Sequence, residues 1–411
     1  MLTPPGPGIV SGQTKLESSP MSLAQGRSYL AIPGPSVMPD QVLRAMHRAS
    51  PNIYEGELHE LTASLIPDLK SVARTTADVA IYIGNGHAAW EAALSNVCAP
   101  GETVLVLATG RFGHGWADMA RGLGLNVDVL DFGQQDSVDS AQVEAALRSD
   151  VTGRIKAVLA VHVDTSTGIK NDVVAIRQAM DAAGHGALLM ADCMASLGCD
   201  IFEMDEWGVD VMVAGCQKGL MTPAGLSFVF FNQRADGLQA DRVSVWWNWR
   251  PRVRPEGYWQ YFNGTAPTHH LYGLRAALDM IKAEGMDHIW ARHATLSRAI
   301  WAAFDAWATD GTIRLNVADP EKRSHSVTSI SMSPGQGDAL RSWCEQEAGL
   351  TLGIGLGREP ADAYFRIGHM GHVNAHMIMG VLGTIEAGLT ALKITHGPGA
   401  LQAAADVIAK A

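Results

Sequence analysis

Between residues 78 and 231 the chain repeats one pattern: a short apolar run stops at a glycine or small polar residue, and a segment with helical spacing usually follows. "VAIYIGNGH" leads into "AAWEAALSNV", "TVLVLATG" into "GHGWADMARGLG", and "NVDVLDFG" into "SAQVEAALRSD". Then come "IKAVLAVHVDTSTG", the helix-like "DVVAIRQAMDAAG", "ALLMADCMASLG", "VDVMVAGCQKG" and "LSFVFFN". Runs that are apolar on both faces belong to strands covered on both sides. Alternating with amphipathic helices, they predict an α/β fold with a mostly parallel, seven-stranded sheet. Chemistry in such sheets gathers where strands end, so the residue just after each run carries the information.

The rest of the chain is arranged around this block. Residues 1–20, "MLTPPGPGIVSGQTKLESSP", are rich in Pro, Gly and Ser and lack a basic start followed by an apolar core. They read as a flexible leader rather than a secretory signal, with Met21 a candidate start. Residues 21–285 form an N-terminal segment and a large domain. From 286 the pattern changes: "MDHIWARHATLSRAIWAAFDAWA" reads as one long connecting helix. "SVTSISM", "ALRSWCEQEAG", "AYFRIGHMG" and "NAHMIMGVLGTIEAGLTALK" follow as strand, helix, strand, helix. This makes 286–411 a smaller α/β domain, with residues 21–50 packing beside it. A net charge of −11 with no basic run argues against nucleic acid or an anionic membrane as partner. No apolar run reaches a membrane span. The five cysteines contain no CxxC pair, so reduced thiols in a cytoplasmic protein are expected.

At the strand ends, three features stand out. Lys218, in "GCQKG", follows a buried run; an unpaired ammonium is costly to bury, so its plain reading is a surface charge. Asp192 ends "ALLMAD", and the two together admit a structural ion pair. They also match the two polar contacts pyridoxal 5'-phosphate most needs: an amine for its aldehyde and a carboxylate for its protonated ring nitrogen. Asn85, Gly86 and His87 stand at the first turn of a helix, where free N–H groups and the helix dipole attract a phosphate. An ordinary glycine-rich turn is the alternative there.

The ordered set "PGPSVMP", "GNGHAAWEAALSNVCAPGETVLV", "HVDTSTGI", "ADCMASLG", "GCQKGLMTPAG", "GTAPTHHLYGLRAAL" and "FRIGHMG" resembles class V, fold-type I aminotransferases. The alanine/serine–glyoxylate (serine–pyruvate) group is the most similar. The resemblance covers nearly all the chain after the leader. It implies that Lys218 is the Schiff-base lysine and Asp192 the partner of the pyridinium. It places Asn85, Gly86, His87 and Gln217 at the phosphate, Ser166 near the ring oxygen, and Arg366 on the substrate carboxylate. A planar guanidinium suits that last task by its fork geometry. Thr265 matches a residue that reaches the phosphate from a partner subunit, which implies a homodimer with shared sites. Two positions depart from the family: Phe112 stands where a ring-stacking tryptophan is common, and Phe262 where a tyrosine often accompanies the threonine, with Tyr261 beside it. Tyr54 is a candidate pocket wall by position only.

The resemblance implies a ping-pong transaminase. Alanine, serine or aspartate is the expected donor and glyoxylate or pyruvate the expected acceptor. "RIGHMG" and "WARHA" also resemble pyridoxamine–pyruvate aminotransferase, the alternative reading. A lyase of the cysteine desulfurase kind resembles the chain less, because Gln217 replaces the usual histidine and Cys344 lies in a helical pattern. His369, His372 and His376 in "HMGHVNAHM" lack an acidic or cysteine third ligand, so no metal is expected. "VSVWWNWRPR" reads as partly buried core or subunit interface, and Cys216 as a small apolar filler.

Overall fold

The structure, a computed structural model, describes residues 23–308 and 311–411; the leader and Met21 lie outside the described residues. The strands, in chain order, are β1 (Tyr29–Ala31), β2 (Asp78–Gly84), β3 (Thr103–Ala108), β4 (Asn126–Asp131) and β5 (Ile155–Val161). A two-residue hairpin, β6 (Val163–Asp164) and β7 (Ile169–Lys170), precedes β8 (Leu188–Asp192), β9 (Val211–Gly215) and β10 (Gly225–Phe231). The last four are β11 (Arg314–Leu315), β12 (Val327–Ser331), β13 (Leu350–Ile354) and β14 (Tyr364–Gly368).

Seven of these form the expected large sheet, in the order β2-β10-β9-β8-β5-β3-β4. Its pairs are parallel except at β10, which runs antiparallel to both neighbours. The reason is local. Only a short loop, 216–224, joins β9 to β10, too short for the crossover a parallel neighbour requires. Reversing β10 leaves β2 pointing the same way as β9, so six strands end on one edge. β3, β8 and β9 are buried at every position, as strands covered on both faces should be.

The second sheet has the order β1-β13-β14-β12-β11. β13 and β11 are strands that the hydrophobic pattern did not indicate. Tyr29–Ala31 joins this sheet by pairing in parallel with Leu350–Leu352. The expected connecting helix is present as Met286–Trp307, starting after Gly285, whose φ of +85° favours glycine at the break from the preceding helix. It packs Ile300, Phe304 and Trp307 against Phe365 and Ile367 in a separate apolar core. Across the aromatic run, Trp249 is fully buried and stacks on Phe231 at 4.0 Å, whereas Val245 is 76% exposed. Among the described residues, no helix is long and apolar enough to cross a membrane.

Candidate active site

One cavity of about 210 Å³ opens where the six co-directed strands end. Its wall includes Asn85, Gly86, His87, Phe112, Asp192, Gln217 and Lys218. Five apolar runs, far apart in sequence, therefore deliver their terminal residues to one place.

Lys218 lies in the tight loop between β9 and β10. Backbone bonds from Thr222 N to Cys216 O (2.9 Å) and from Met221 N to Lys218 O (3.1 Å) hold the loop. The "PGPS" stretch near the chain start crosses over it as a strap. Ser36 N donates to Gln217 O (2.9 Å), Ser36 Oγ donates to Lys218 O (2.7 Å), and Lys218 Nζ donates to Pro33 O. A Cβ on Gly34, whose φ is +97°, would stand 2.6 Å from Lys218 Cδ, Cε and Nζ. Only glycine lets the strap approach this closely. Burial, helped by the Arg366 charge and opposed by Asp192, lowers the Lys218 ammonium to about 8. The amine is thus within reach of its neutral, nucleophilic form near neutral pH.

Asp192 is 3% exposed. Its Oδ1 accepts from Met194 N at 2.7 Å and its Oδ2 from the Trp90 indole Nε1 at 2.9 Å. Burial raises its carboxyl to about 6, against the pull of those two donors. Asn85 caps the helix Gly86–Val97, its side chain accepting from His87 N at 3.1 Å. The remaining first-turn N–H groups face the cavity region with the positive end of the helix dipole. Gly86 is buried, and a Cβ there would meet Met194 Cε at 2.6 Å. Gln217 Oε1 is buried with no partner among the described residues, a polar atom that a bound polar group would satisfy.

Phe112 lines the wall from the second position of the helix Arg111–Gly122. Asp164 holds it there, accepting from Phe112 N at 2.8 Å and from Ser166 N at 2.9 Å. This corrects the expectation for Ser166. Its hydroxyl donates to Asp164 and accepts from Arg111 N (3.0 Å), so it braces the wall and does not line the cavity. Thr165, one residue earlier, lines the cavity instead. The "DTSTG" motif carries three adjacent polar residues, and only the turn geometry decides which one faces inward.

Arg366 comes from β14 of the second sheet and is 6% exposed. Its Nε donates to Ile354 O (2.8 Å) and its Nη1 to Thr165 O (2.7 Å), the latter docking it onto the large sheet's cavity wall. Both partners are neutral carbonyls, and among the described residues no carboxylate touches the guanidinium. Burial lowers its pKa to about 10, opposed by the charge of Asp164. A buried cation with no carboxylate in direct contact suits an anionic ligand.

Besides Ser166, two expected residues do not reach the cavity in the single chain. Tyr54 is 85% exposed, its N–H bonded to Asn52 Oδ1 at 2.9 Å. Thr265 is exposed ahead of the helix Thr268–Glu284. Phe262 is fully buried against Tyr258 and Tyr261. Of the three histidines, His369 is buried between Thr328 Oγ1 (2.9 Å) and His325 O (3.0 Å). His372 lies before Asn374, the cap of the helix carrying His376, so their spacing is not a helical pair. Among the described residues, no three His, Cys, Asp or Glu side chains gather as metal ligands would. Cys216 Sγ contacts Pro223 O (2.8 Å), and burial pushes its thiol up to about 12, as it does for Cys344. Sequence reading missed Trp90, Thr165 and Asp164. All three stand inside quoted motifs, but their roles depend on contacts across the sheet.

An amine, a carboxylate and an anion-binding helix start on one edge of a seven-stranded α/β sheet define the fold-type I class of pyridoxal-phosphate enzymes. Residues 28–370 match the family model described as Aminotransferase class-V, and the chain belongs to that family of aminotransferases. It is 38% identical to a serine–glyoxylate aminotransferase of Methylorubrum extorquens over 91% of this chain and 94% of that one. It is 34% identical to an L-aspartate–glyoxylate aminotransferase of Paracoccus denitrificans, covering 86% and 89%. The fold is shared with pyridoxamine–pyruvate aminotransferase from Mesorhizobium loti, with a TM-score of 0.84 and 24% identity over 95% of this chain and all of that one.

Proposed function

We propose that this aminotransferase uses pyridoxal 5'-phosphate to move an amino group from serine, alanine or aspartate to glyoxylate or pyruvate. The observation that carries the reading is the convergence of Lys218, Asp192 and the Asn85–Gly86–His87 helix start on one cavity, with Arg366 docked onto its wall. The residues fit the cofactor. The helix start offers N–H donors to a phosphate, and Gln217 Oε1, a buried acceptor without a partner among the described residues, offers a further polar contact on the wall. Asp192 can serve as counter-charge for a ring nitrogen, and Phe112 offers a flat apolar face.

When bound, the cofactor supplies an aldehyde to hold the amino group and a ring to draw electrons from the substrate Cα. The chain's own residues do the rest. Lys218 would hold the cofactor, and its amine, close to its neutral form, would take and return the substrate Cα proton. Asp192 keeps the ring nitrogen protonated. Arg366 orients the substrate carboxylate so that the Cα proton faces Lys218. The strap Pro33–Ser36 fixes the lysine loop and covers one side from water. Thr265 and Tyr54 are proposed to serve the site of a partner subunit in a homodimer, consistent with their exposure in the single chain.

The test is a pair of steady-state assays on protein stripped of cofactor and reconstituted: L-serine, L-alanine or L-aspartate with glyoxylate, and pyridoxamine with pyruvate. Turnover of an amino acid that depends on pyridoxal phosphate is expected. Turnover of pyridoxamine without any phosphate ester, and none of amino acids, would overturn the proposal in favour of pyridoxamine–pyruvate transamination.

A further inference from the structure

The Asp192 carboxylate has only two oxygens, and both are already engaged. Oδ1 takes the Met194 N–H (2.7 Å), and Oδ2 takes the indole N–H of Trp90 (2.9 Å). Trp90 is 1% exposed and lines the same cavity. It is itself locked in place, stacked on Trp116 at 5.8 Å and 12°, with the edge of Phe112 at 6.3 Å and the His87 ring at 4.8 Å. We propose that Trp90 is a positioning residue for the reaction, its indole N–H fixing the rotation of the Asp192 carboxylate and holding it in the ionised form that a ring nitrogen requires. The inference rests on the proposed pairing of Asp192 with the cofactor ring.

The physical case is one of competition. A carboxylate buried to this degree is driven toward its protonated form. The charged groups acting on it are Lys218, which favours the anion, and Asp164, which opposes it. His87 reaches it only through the Trp90 ring, and Cys193 beside it is a neutral thiol held well above its ordinary value by burial. The two N–H donors are the strongest of the groups that favour the anion, ahead of the Lys218 charge. Of these, the Met194 N–H is backbone and common to any side chain there, whereas the Trp90 donor is specific to tryptophan. A phenylalanine or leucine at 90 fills the space and leaves Oδ2 free to turn or to take up a proton.

The experiment measures pyridoxal phosphate affinity of the cofactor-free protein by ultrafiltration from pH 5.5 to 8.5, for wild type, Trp90→Phe, Trp116→Phe and Asp192→Asn. Subtracting the Asp192→Asn profile isolates the Asp192 titration from those of the ligand's phosphate and Lys218. In Trp90→Phe the acid limb of that difference should move up by about one pH unit, a loss of about threefold in affinity at pH 6.5 that approaches tenfold toward pH 5.5. Trp116→Phe keeps an aromatic ring against Trp90 and loses only an indole N–H that has no partner among the described residues, so it should leave the limb in place. A second measurement needs no variant at position 90. In wild-type protein labelled with 15N-tryptophan, one indole N–H resonance should shift with the same midpoint and lose that shift in Asp192→Asn. A Trp90→Phe profile weakened equally at every pH, or an indole signal that ignores the Asp192 titration, would overturn the proposal. An Asp192→Asn profile identical to wild type would instead remove the Asp192 pairing on which it rests.

Discussion

The two sheets contribute to the cavity in different ways. The large sheet supplies many residues from its strand ends, and backbone groups matter as much as side chains: the first turn at Asn85 and the Met194 N–H. The second sheet supplies one cation, Arg366, which reaches across to Thr165 O. A ring with a phosphate needs many fixed contacts, whereas a substrate that enters and leaves needs one strong, oriented anchor. The ionic character differs as well. The large sheet places its titratable groups, Lys218 at about 8 and Asp192 at about 6, close to neutral pH. The region around the second sheet holds two buried histidines neutral: burial lowers His369 to about 4 and His293 to about 3.

This division can be broken experimentally. Removing the large sheet's nucleophile should have the greatest effect: Lys218→Ala is expected to lower kcat by roughly 10⁴-fold or more. Borohydride should trap cofactor on Lys218 in the wild type, located by mass; label on another lysine would reject the assignment. Asp192→Asn should lower kcat by about 10²–10³-fold, the scale of one preorganised electrostatic contact, and loosen the cofactor too. Arg366→Lys keeps the charge and loses the fork, which should remove about 2–3 kcal/mol from kcat/KM in both half-reactions. Cofactor affinity should not change in that variant; if it does, the two sheets do not divide the work as described.

Acid separates the regions further. His369 and His293 titrate near 6.5 when unfolded but lower when folded, so the unfolded state binds more protons between those values. Their contribution is full above 6.5 and falls as pH drops, by about 2 kcal/mol for each at pH 5. Urea unfolding of cofactor-free protein at pH 7.5 and pH 5 reads this directly. His369→Gln should flatten the slope, and an unchanged slope would assign it elsewhere. The smallest effect distinguishes two adjacent hydroxyls. Thr165→Ala should weaken cofactor binding by about 1 kcal/mol, one neutral hydrogen bond. Ser166→Ala should act only through the Phe112 wall, seen as a changed visible spectrum at nearly constant affinity. Equal losses in both variants would return Ser166 to the cavity.

Much of this arrangement was legible in the sequence because strand ends are local. An apolar run announces its own termination, so Lys218, Asp192 and Asn85–His87 could be located at strand ends, although each alone admitted a plain structural reading and only their joint order pointed to a site. Thr165 was not, since a one-residue choice within "DTSTG" depends on which side chain Asp164 captures to cap the helix at Arg111. β11 and β13 escaped for a similar reason: β11 has only two residues and β13 ends in the half-exposed Ile354, so their pairing and not their composition makes them strands.

What the sequence by itself determined was the α/β repeat and the chemical types waiting at the strand ends, because burial on both faces and helix starts are encoded over a few neighbouring residues. Only the tertiary structure decided that Trp90 donates to Asp192, that the Pro33–Ser36 strap covers Lys218, and that Arg366 docks on Thr165. Each of these joins residues more than a hundred positions apart. Such contacts depend on how packed sheets and helices bring distant segments within a hydrogen-bond length, and no local pattern carries that distance.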